Sequence, residues 1–365
     1  MPIKSPFESS IAKPGEGKVV LSLLPPSNPT LTTLTYKYPL KLLTRTPGFV
    51  PKSSALTCPS QPVHLYLLTY GGGLLPGDKI NVSITLEPRT RMVVTTPQGS
   101  TKIFKTEPNA SVKGQRGTPK PLLSDKSSQT LNVHVGQEAA LCYLPDPAVP
   151  YQDSRYEQVQ TFTVEGSTSS NDNPRRSSLC ILDWVTQGRA SRGEAWDFHL
   201  WRGKNEVWTT TEESGKRKLL LRDSLILDRE LDEAQLERGD PELLKHTNVI
   251  RERTHPHGVV GTLILYGPVF ERLATFFMDR FTSLPRIGAR NWSSSPAVAS
   301  GSAATEPTPN FDAQVTFTAA RVRAGFVLVK FGAPDFAAAK DWLGAILRDE
   351  GSVYAEFGEE ALFCL

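Results

Sequence analysis

The sequence predicts a single β-rich domain, dominated by strands, with two helices near its C-terminus. Three observations predict it: apolar residues alternate with period two in several windows, denser apolar runs are punctuated by turn residues, and helical periodicity appears clearly only late in the chain. The 365 residues include 27 Gly and 29 Pro, a turn-rich composition that argues against a helical bundle. Hydrophobic residues make 39%, enough to fill a sizeable core.

VHLYLLTY, from Val63, is the first dense apolar run. In INVSITLE, Ile80, Val82, Ile84 and Leu86 alternate with Asn81, Ser83, Thr85 and Glu87, so one face is apolar and the other wet. LNVHV repeats the pattern with Leu131, Val133 and Val135. AALCYL (from Ala139), LCILDWV (from Leu179) and GVVGTLILYG (from Gly258) suit strands buried on both faces. EAWDFHLW is expected to be a strand with Trp196, Phe198 and Leu200 on one face and Asp197 and His199 on the other.

The first helix is read from PVFERLATFFMDRF, where Phe270, Leu273, Phe277 and Phe281 share a stripe and Pro268 suits the first turn. The second is PDFAAAKDWLGAILRD, with Phe336, Ala339, Leu343 and Leu347 aligned and Trp342 expected in the core. FDAQVTFTAARVRAGFVLVKF, between them, reads as two strands, and DRELDEAQLERGDPELLKH is helix-prone in composition. Polar insertions near 107–128, 166–178 and 291–310 have compositions that build no core, and they separate strands within one domain spanning 1–365. Irregular stacking of short strands fits a solenoid or layered β architecture.

Several functional classes are excluded. Lys and Arg total 41 against 38 Asp and Glu, and a net charge of +3 does not argue for nucleic acid. RGKNEVWTT and SGKRKLLL are locally basic but lack an aromatic platform, and they read as solvated loops. No 18-residue apolar run offers a membrane helix. Cys58, Cys142, Cys180 and Cys364 have no metal-finger spacing and read as free thiols. With no secretory signal in the first thirty residues, the expectation is a cytoplasmic protein.

GGGLLPGDK invites a phosphate-loop reading, but Asp78 stands where the lysine should be, and a carboxylate there repels phosphate. Gly71, Gly72, Gly73 and Gly77 instead set a tight backbone path. His255 and His257 flank a proline and can offer two imidazoles to Ni²⁺ or Zn²⁺, but two ligands do not close a site. Asp197 and His199 offer a transient metal stop, or are simply the wet side of a strand. No G-x-S-x-G elbow occurs. Asp146, Asp153 and Asp183 are candidate paired carboxylates for a β-solenoid glycan hydrolase or lyase, the alternative function.

LLTYGGGLLPGDKI, VVTTPQGSTKIFK, YLPDPAVPYQDSRYEQ, ILDWVTQGRASRGEAWDF, RDSLIL, GVVGTLILYGP and RVRAGFVLVKFGAPDF, in that order, resemble the urease accessory protein D family, called protein H in some bacteria. The resemblance runs from about Tyr38 to the final helix. It implies a helicoidally layered β fold and a non-enzymatic role as a nickel-insertion scaffold. It further implies partners: accessory protein F, accessory protein G (a GTPase, held through F) and apo-urease. Nickel would pass transiently through an internal polar passage, with no tightly bound cofactor. Such a conduit needs carboxylates and carbonyls that bind weakly enough to release. Asp78, Asp183, Glu194, Asp197 and His199 are the candidate passage residues. Asp78 can instead cap its turn, and Arg189 and Arg192 can pair with the carboxylates and make them structural. Asp146, Arg155, Arg222 and Asp223 fall in matching motifs and are expected to make scaffold or partner contacts.

Overall fold

The computed structural model describes residues 13–25, 27–45, 60–96, 101–105, 126–165, 176–210, 217–229, 249–284 and 314–365. One sheet has seven strands: β1 (Glu16–Leu24), β2 (Asn28–Tyr36), β5 (Lys79–Leu86), β8 (Ser127–Val135), β11 (Arg155–Glu165), β13 (Leu200–Thr210) and β14 (Arg217–Asp228). They lie in the order β14-β13-β11-β8-β5-β1-β2. The other has eight: β3 (Leu40–Arg45), β4 (Val63–Thr69), β6 (Arg91–Thr95), β9 (Ala140–Tyr143), β12 (Ser178–Thr186), β15 (Val259–Tyr266), β16 (Thr316–Arg321) and β17 (Val327–Ala333). Their order is β16-β17-β15-β12-β9-β6-β4-β3. Two short parallel strands, β7 (Lys102–Ile103) and β10 (Val149–Pro150), form a third pairing.

From β4 to β13 the chain winds between the two large sheets. Strands β4, β6, β9 and β12 stack in parallel in one sheet. Strands β5, β8, β11 and β13 stack in parallel in the other. Each circuit adds one strand to each layer, which is the helicoidal, layered β architecture expected. Antiparallel hairpin partners close both ends of the stack.

Strand β12 shows how the layers are built. All nine of its residues are buried, and their two faces enter different cores. Leu179, Ile181 and Val185 point between the sheets, while Cys180, Leu182 and Trp184 point the other way, under the helices. By this parity Asp183 faces the space between the sheets.

Four α-helices are described: α1 (Val249–Thr254), α2 (Glu271–Ser283), α3 (Phe336–Glu350) and α4 (Ser352–Phe357). Leu273 and Phe277 of α2, Trp342, Leu343 and Ile346 of α3, and Val353 of α4 join the outer core. Each such side chain contributes about 1.5–3 kcal/mol by leaving water. Asp335 caps α3 by accepting from the Ala338 N–H at 2.8 Å, and Gly351 ends it in the left-handed conformation with φ 82°. Trp342 is fully buried against Phe277, Phe317 and Phe331, as expected.

Three local expectations are corrected. EAWDFHLW is not a strand before Leu200, because Trp196 has φ 63° and breaks the alternation, although Trp196 and Phe198 are buried. RGKNEVWTT is the body of β13 and the described part of SGKRKLLL opens β14, so neither is a loop. Their charges alternate with inward Gly203 and Asn205, which look like loop residues in sequence. The short helices α1 and α4 were not anticipated. The insertions near 107–128 and 166–178 lie outside the described residues, apart from Lys126–Ser128 and Arg176–Ser178, and 291–310 lies wholly outside. So does DRELDEAQLERGDPELLKH beyond Arg229.

Candidate functional site

Polar side chains meet in the space between the sheets. Residues from β8 (Gln129), β9 (Tyr143), β11 (Tyr156, Gln158, Gln160) and β12 (Asp183) line a cavity that leaves about 30 Å³ for water centres, room for about two waters. Thr96, Thr101 and Asp146 add polar atoms, and Leu74, Ile103 and Ala148 complete the wall beside the β7–β10 pairing.

Asp183 is the hub. Its Oδ1 accepts from Gln158 Nε2 at 2.8 Å and its Oδ2 from Asn205 Nδ2 at 2.7 Å. Tyr156 donates its hydroxyl to Gln158 Oε1 at 3.2 Å, and so fixes the amide orientation that faces the carboxylate. Gly203 keeps space open here, since a Cβ would lie 2.6 Å from the Trp201 ring and 3.2 Å from Asp183 Oδ2. Burial pushes the Asp183 carboxyl up to about 6; the Asn205 and Gln158 hydrogen bonds pull against it, and the Asp223 charge adds to it. Burial first, and then the Asp183 charge, raise the Tyr143 phenol, which therefore stays protonated at neutral pH. Gln160 Oε1 and Asn205 Oδ1 are buried without a hydrogen-bond partner. Unpaired buried oxygens are costly, and a water or cation in the cavity would relieve that of Gln160, which lines it.

The five passage candidates take different positions. Asp183 alone is at the hub. Asp78 closes the glycine turn, its Oδ2 accepting from the Leu75 N–H at 2.9 Å. Glu194 anchors the segment after β12: it accepts from the Arg189 N–H at 2.9 Å and from Arg189 Nε at 3.0 Å, and it also binds Arg189 Nη2. Burial alone would raise the Glu194 carboxyl, but these bonds outweigh it and hold it below its usual value. Asp197 accepts from the Ala195 N–H at 2.9 Å and pairs with Arg251 at 3.3 Å. His199 Nε2 lies 3.7 Å from Asp153. With no strand before Leu200, Asp197 and His199 do not share a strand face.

Of the two arginines, Arg189 pairs with Glu194 and stacks 3.7 Å from the Tyr151 ring centroid, whereas Arg192 is exposed. The glycines divide as well. Gly71, Gly72 and Gly77 have positive φ, while Gly73 is needed for close packing, a Cβ there falling 2.6 Å from Phe104. Asp223 pairs with Lys330 and ties β14 to β17, and Arg222 bonds Glu206 at 2.9 Å. His257 packs its ring against Gly332, and burial, followed by the charge of the neighbouring exposed His255, lowers its pKa from the ordinary value. Cys142, Cys180 and Cys364 are free and buried, and Cys58 lies outside the described residues. Among the described residues no three His, Cys, Asp or Glu side chains are placed together to hold a metal ion. No helix among them is long and apolar enough to cross a membrane.

Sequence reasoning missed Gln158, Gln160 and Asn205. The available signal was a period-2 strand, RYEQVQTFTVE, whose apolar face carries glutamines between Tyr156 and Phe162.

Comparison with known proteins covers most of the chain. The model of the UreD urease accessory protein family matches residues 15–354. Urease accessory protein 4 of Cryptococcus neoformans var. grubii is 30% identical over 272 residues, 72% of each chain. Urease accessory protein D of Arabidopsis thaliana is 31% identical over 251 residues, 69% of this chain and 67% of its own. An uncharacterized urease accessory protein ureD-like chain of Schizosaccharomyces pombe is 28% identical over 322 residues, 88% of this chain and 90% of its own.

Proposed function

Because the chain belongs to the UreD urease accessory protein family, we propose that it is a non-catalytic scaffold that helps deliver nickel to apo-urease through its polar interior. Accessory protein F binds it directly in this reading, accessory protein G joins through F and supplies GTP hydrolysis, and the assembly works in the cytoplasm. The observation that carries the passage is Asp183, an ionisable carboxylate between the sheets, held by the Gln158 and Asn205 amide N–H groups at a water-sized cavity that Gln160, with its unpaired Oε1, also lines. Oxygen donors of this kind hold a divalent ion without a closed cage, which favours release. Glu194 and Asp197, by contrast, spend their charge on arginines, so they are assigned to shaping the segment that follows β12.

The glycan-hydrolase alternative asks for a cleft that holds a sugar between two carboxylates. Asp146 and Asp183 do line one cavity, but about 30 Å³ admits waters and no pyranose ring.

The test is reconstitution. Apo-urease, nickel, bicarbonate, GTP and accessory proteins F and G are combined with and without this protein. Urease activity that depends on its presence supports the reading. Equal activity without it, given competent partners, refutes it.

A further inference from the structure

The two large sheets end in four strands, β2 and β14 in one, β3 and β16 in the other, and among the described residues no strand pairs with their far edges. Such an edge templates pairing with another strand unless its sequence blunts it. Strand β2 carries Pro29 and no charge, and β3 and β16 are six residues long with positive charges only. Strand β14, RKLLLRDSLILD, differs: it has twelve residues, starts with Arg217 and Lys218, and ends with Asp228. Three contacts show which face its charges occupy. Arg217 lies 5.0 Å from the Trp208 ring centroid, Arg222 bonds Glu206 at 2.9 Å, and Asp228 is 3.3 Å from Arg202. These partners alternate along β13 with Trp201 and Val207, which enter the core, so all three charges are on the outer face. A bulge leaves Leu220 unmatched and sets Leu219 opposite Trp208, on the same face as Arg217. The exposed Ile226 shares that face with Asp228.

We propose that β14 pairs antiparallel with β14 of a second copy of this chain, joining two seven-stranded sheets across a twofold axis. An isologous contact needs a patch that complements itself, and an antiparallel pair needs facing residues on the same side of the sheet. The outer row of β14 meets both conditions when it is reversed with Leu220 left out of the count. Arg217 then faces Asp228 of the second copy, Leu219 faces Ile226, and Arg222 faces Ser224. The inward row keeps the same register, with Leu221 against Leu225. Asp223 falls on the axis, where Lys330 of each copy already meets its carboxylate at 2.6 Å and offsets the repulsion between the two. The bulge is what brings the basic start and the acidic end into phase; without it Arg217 and Asp228 would stand on opposite faces. Of the four end strands only β14 has charges of both signs, so it alone can form opposite-charge pairs with itself.

The test is sedimentation velocity of the full chain alone over a concentration series. The expected result is a monomer–dimer equilibrium that Arg217→Asp and Asp228→Arg each weaken at least about tenfold, because each sets like charges opposite one another twice. The double variant should dimerise again, since the exchange restores both pairs. An equimolar mixture of the two single variants should also form dimers, although neither variant does so by itself, because each mixed contact again joins opposite charges. Ile226→Lys, at an exposed position, should weaken the dimer without touching these charges. Thermal melts establish that each variant is folded. A wild-type chain that stays monomeric up to about 100 µM overturns the proposal. So do single variants that dimerise as the wild type does, and a mixture of them that stays monomeric. None of these readings involves nickel or urease, so this contact and the maturation role stand or fall separately.

Discussion

Asn205 on β13 donates its side-chain amide to Asp183 on β12 at 2.7 Å, so the two large sheets are joined through the interior by an ionisable group. Gln158 makes a second such link from β11. A core built only for stability would place apolar residues here, since burying a carboxylate without a cationic partner in contact is costly. The neighbours above and below Asp183 on the same face, Ile181 and Val185, are apolar.

That cost is measurable through pH. The Asp183 carboxyl releases its proton near 6 in the folded protein, against 3.8 ordinarily. Between those values the folded state holds a proton that the unfolded state has lost, so stability falls as pH rises across this window. Above it the penalty is constant, on the order of 3 kcal/mol. Asp183→Asn removes the titration, and either flanking amide can turn to meet the new carboxamide. Denaturant unfolding should show a wild-type-minus-variant difference that slopes between these two pH values and is level above them. A difference independent of pH would mean the carboxylate is not buried as described.

Glu194→Ala should destabilise the protein by roughly 1–3 kcal/mol, because the Arg189 N–H and guanidinium lose their acceptor. Glu194→Gln, which keeps an acceptor, should recover part of it. The folded Glu194 carboxyl is lowered, so its contribution is present above the ordinary carboxylate value and is lost as pH falls through the folded one. Unfolding curves for the three proteins at neutral and acid pH check this. Equal stability of Glu194→Ala and wild type would show that the pair is not structural.

Within the glycine turn, Gly73→Ala should be the most damaging single methyl, costing about 1–3 kcal/mol, since a Cβ meets the Phe104 ring at 2.6 Å and the Lys102 carbonyl oxygen at 2.7 Å. Gly72→Ala meets nothing within 4 Å and should cost about 1 kcal/mol, from its positive φ of 73° alone. Melting temperatures of the two variants give the ranking, and the reverse order would refute this account of the turn.

Asp78→Asn should leave the turn intact, because the amide oxygen still accepts from the Leu75 N–H, while Asp78→Ala should cost about 1 kcal/mol. If the charge itself serves delivery, nickel transfer falls in both variants. If only the turn matters, transfer follows stability and Asp78→Asn behaves as wild type.

The sequence made some of this legible and hid the rest for physical reasons. Strand β5 was readable because Ile80, Val82, Ile84 and Leu86 all face one core. Strand β12 was readable because apolar residues on both faces betray two covered sides. Strand β13 was not, since its inward positions include Gly203 and Asn205, chosen for room and hydrogen bonding rather than hydrophobicity. At Trp196 the positive φ turns the chain where side-chain pattern alone suggests a strand.

The most direct test of the central claim is the nickel content of urease matured by complexes carrying wild-type protein or Asp183→Asn. Co-elution with the partners, measured on the same samples, reports assembly. The account predicts intact assembly and nickel delivery reduced at least about tenfold in the variant. Wild-type nickel content delivered by Asp183→Asn would contradict it.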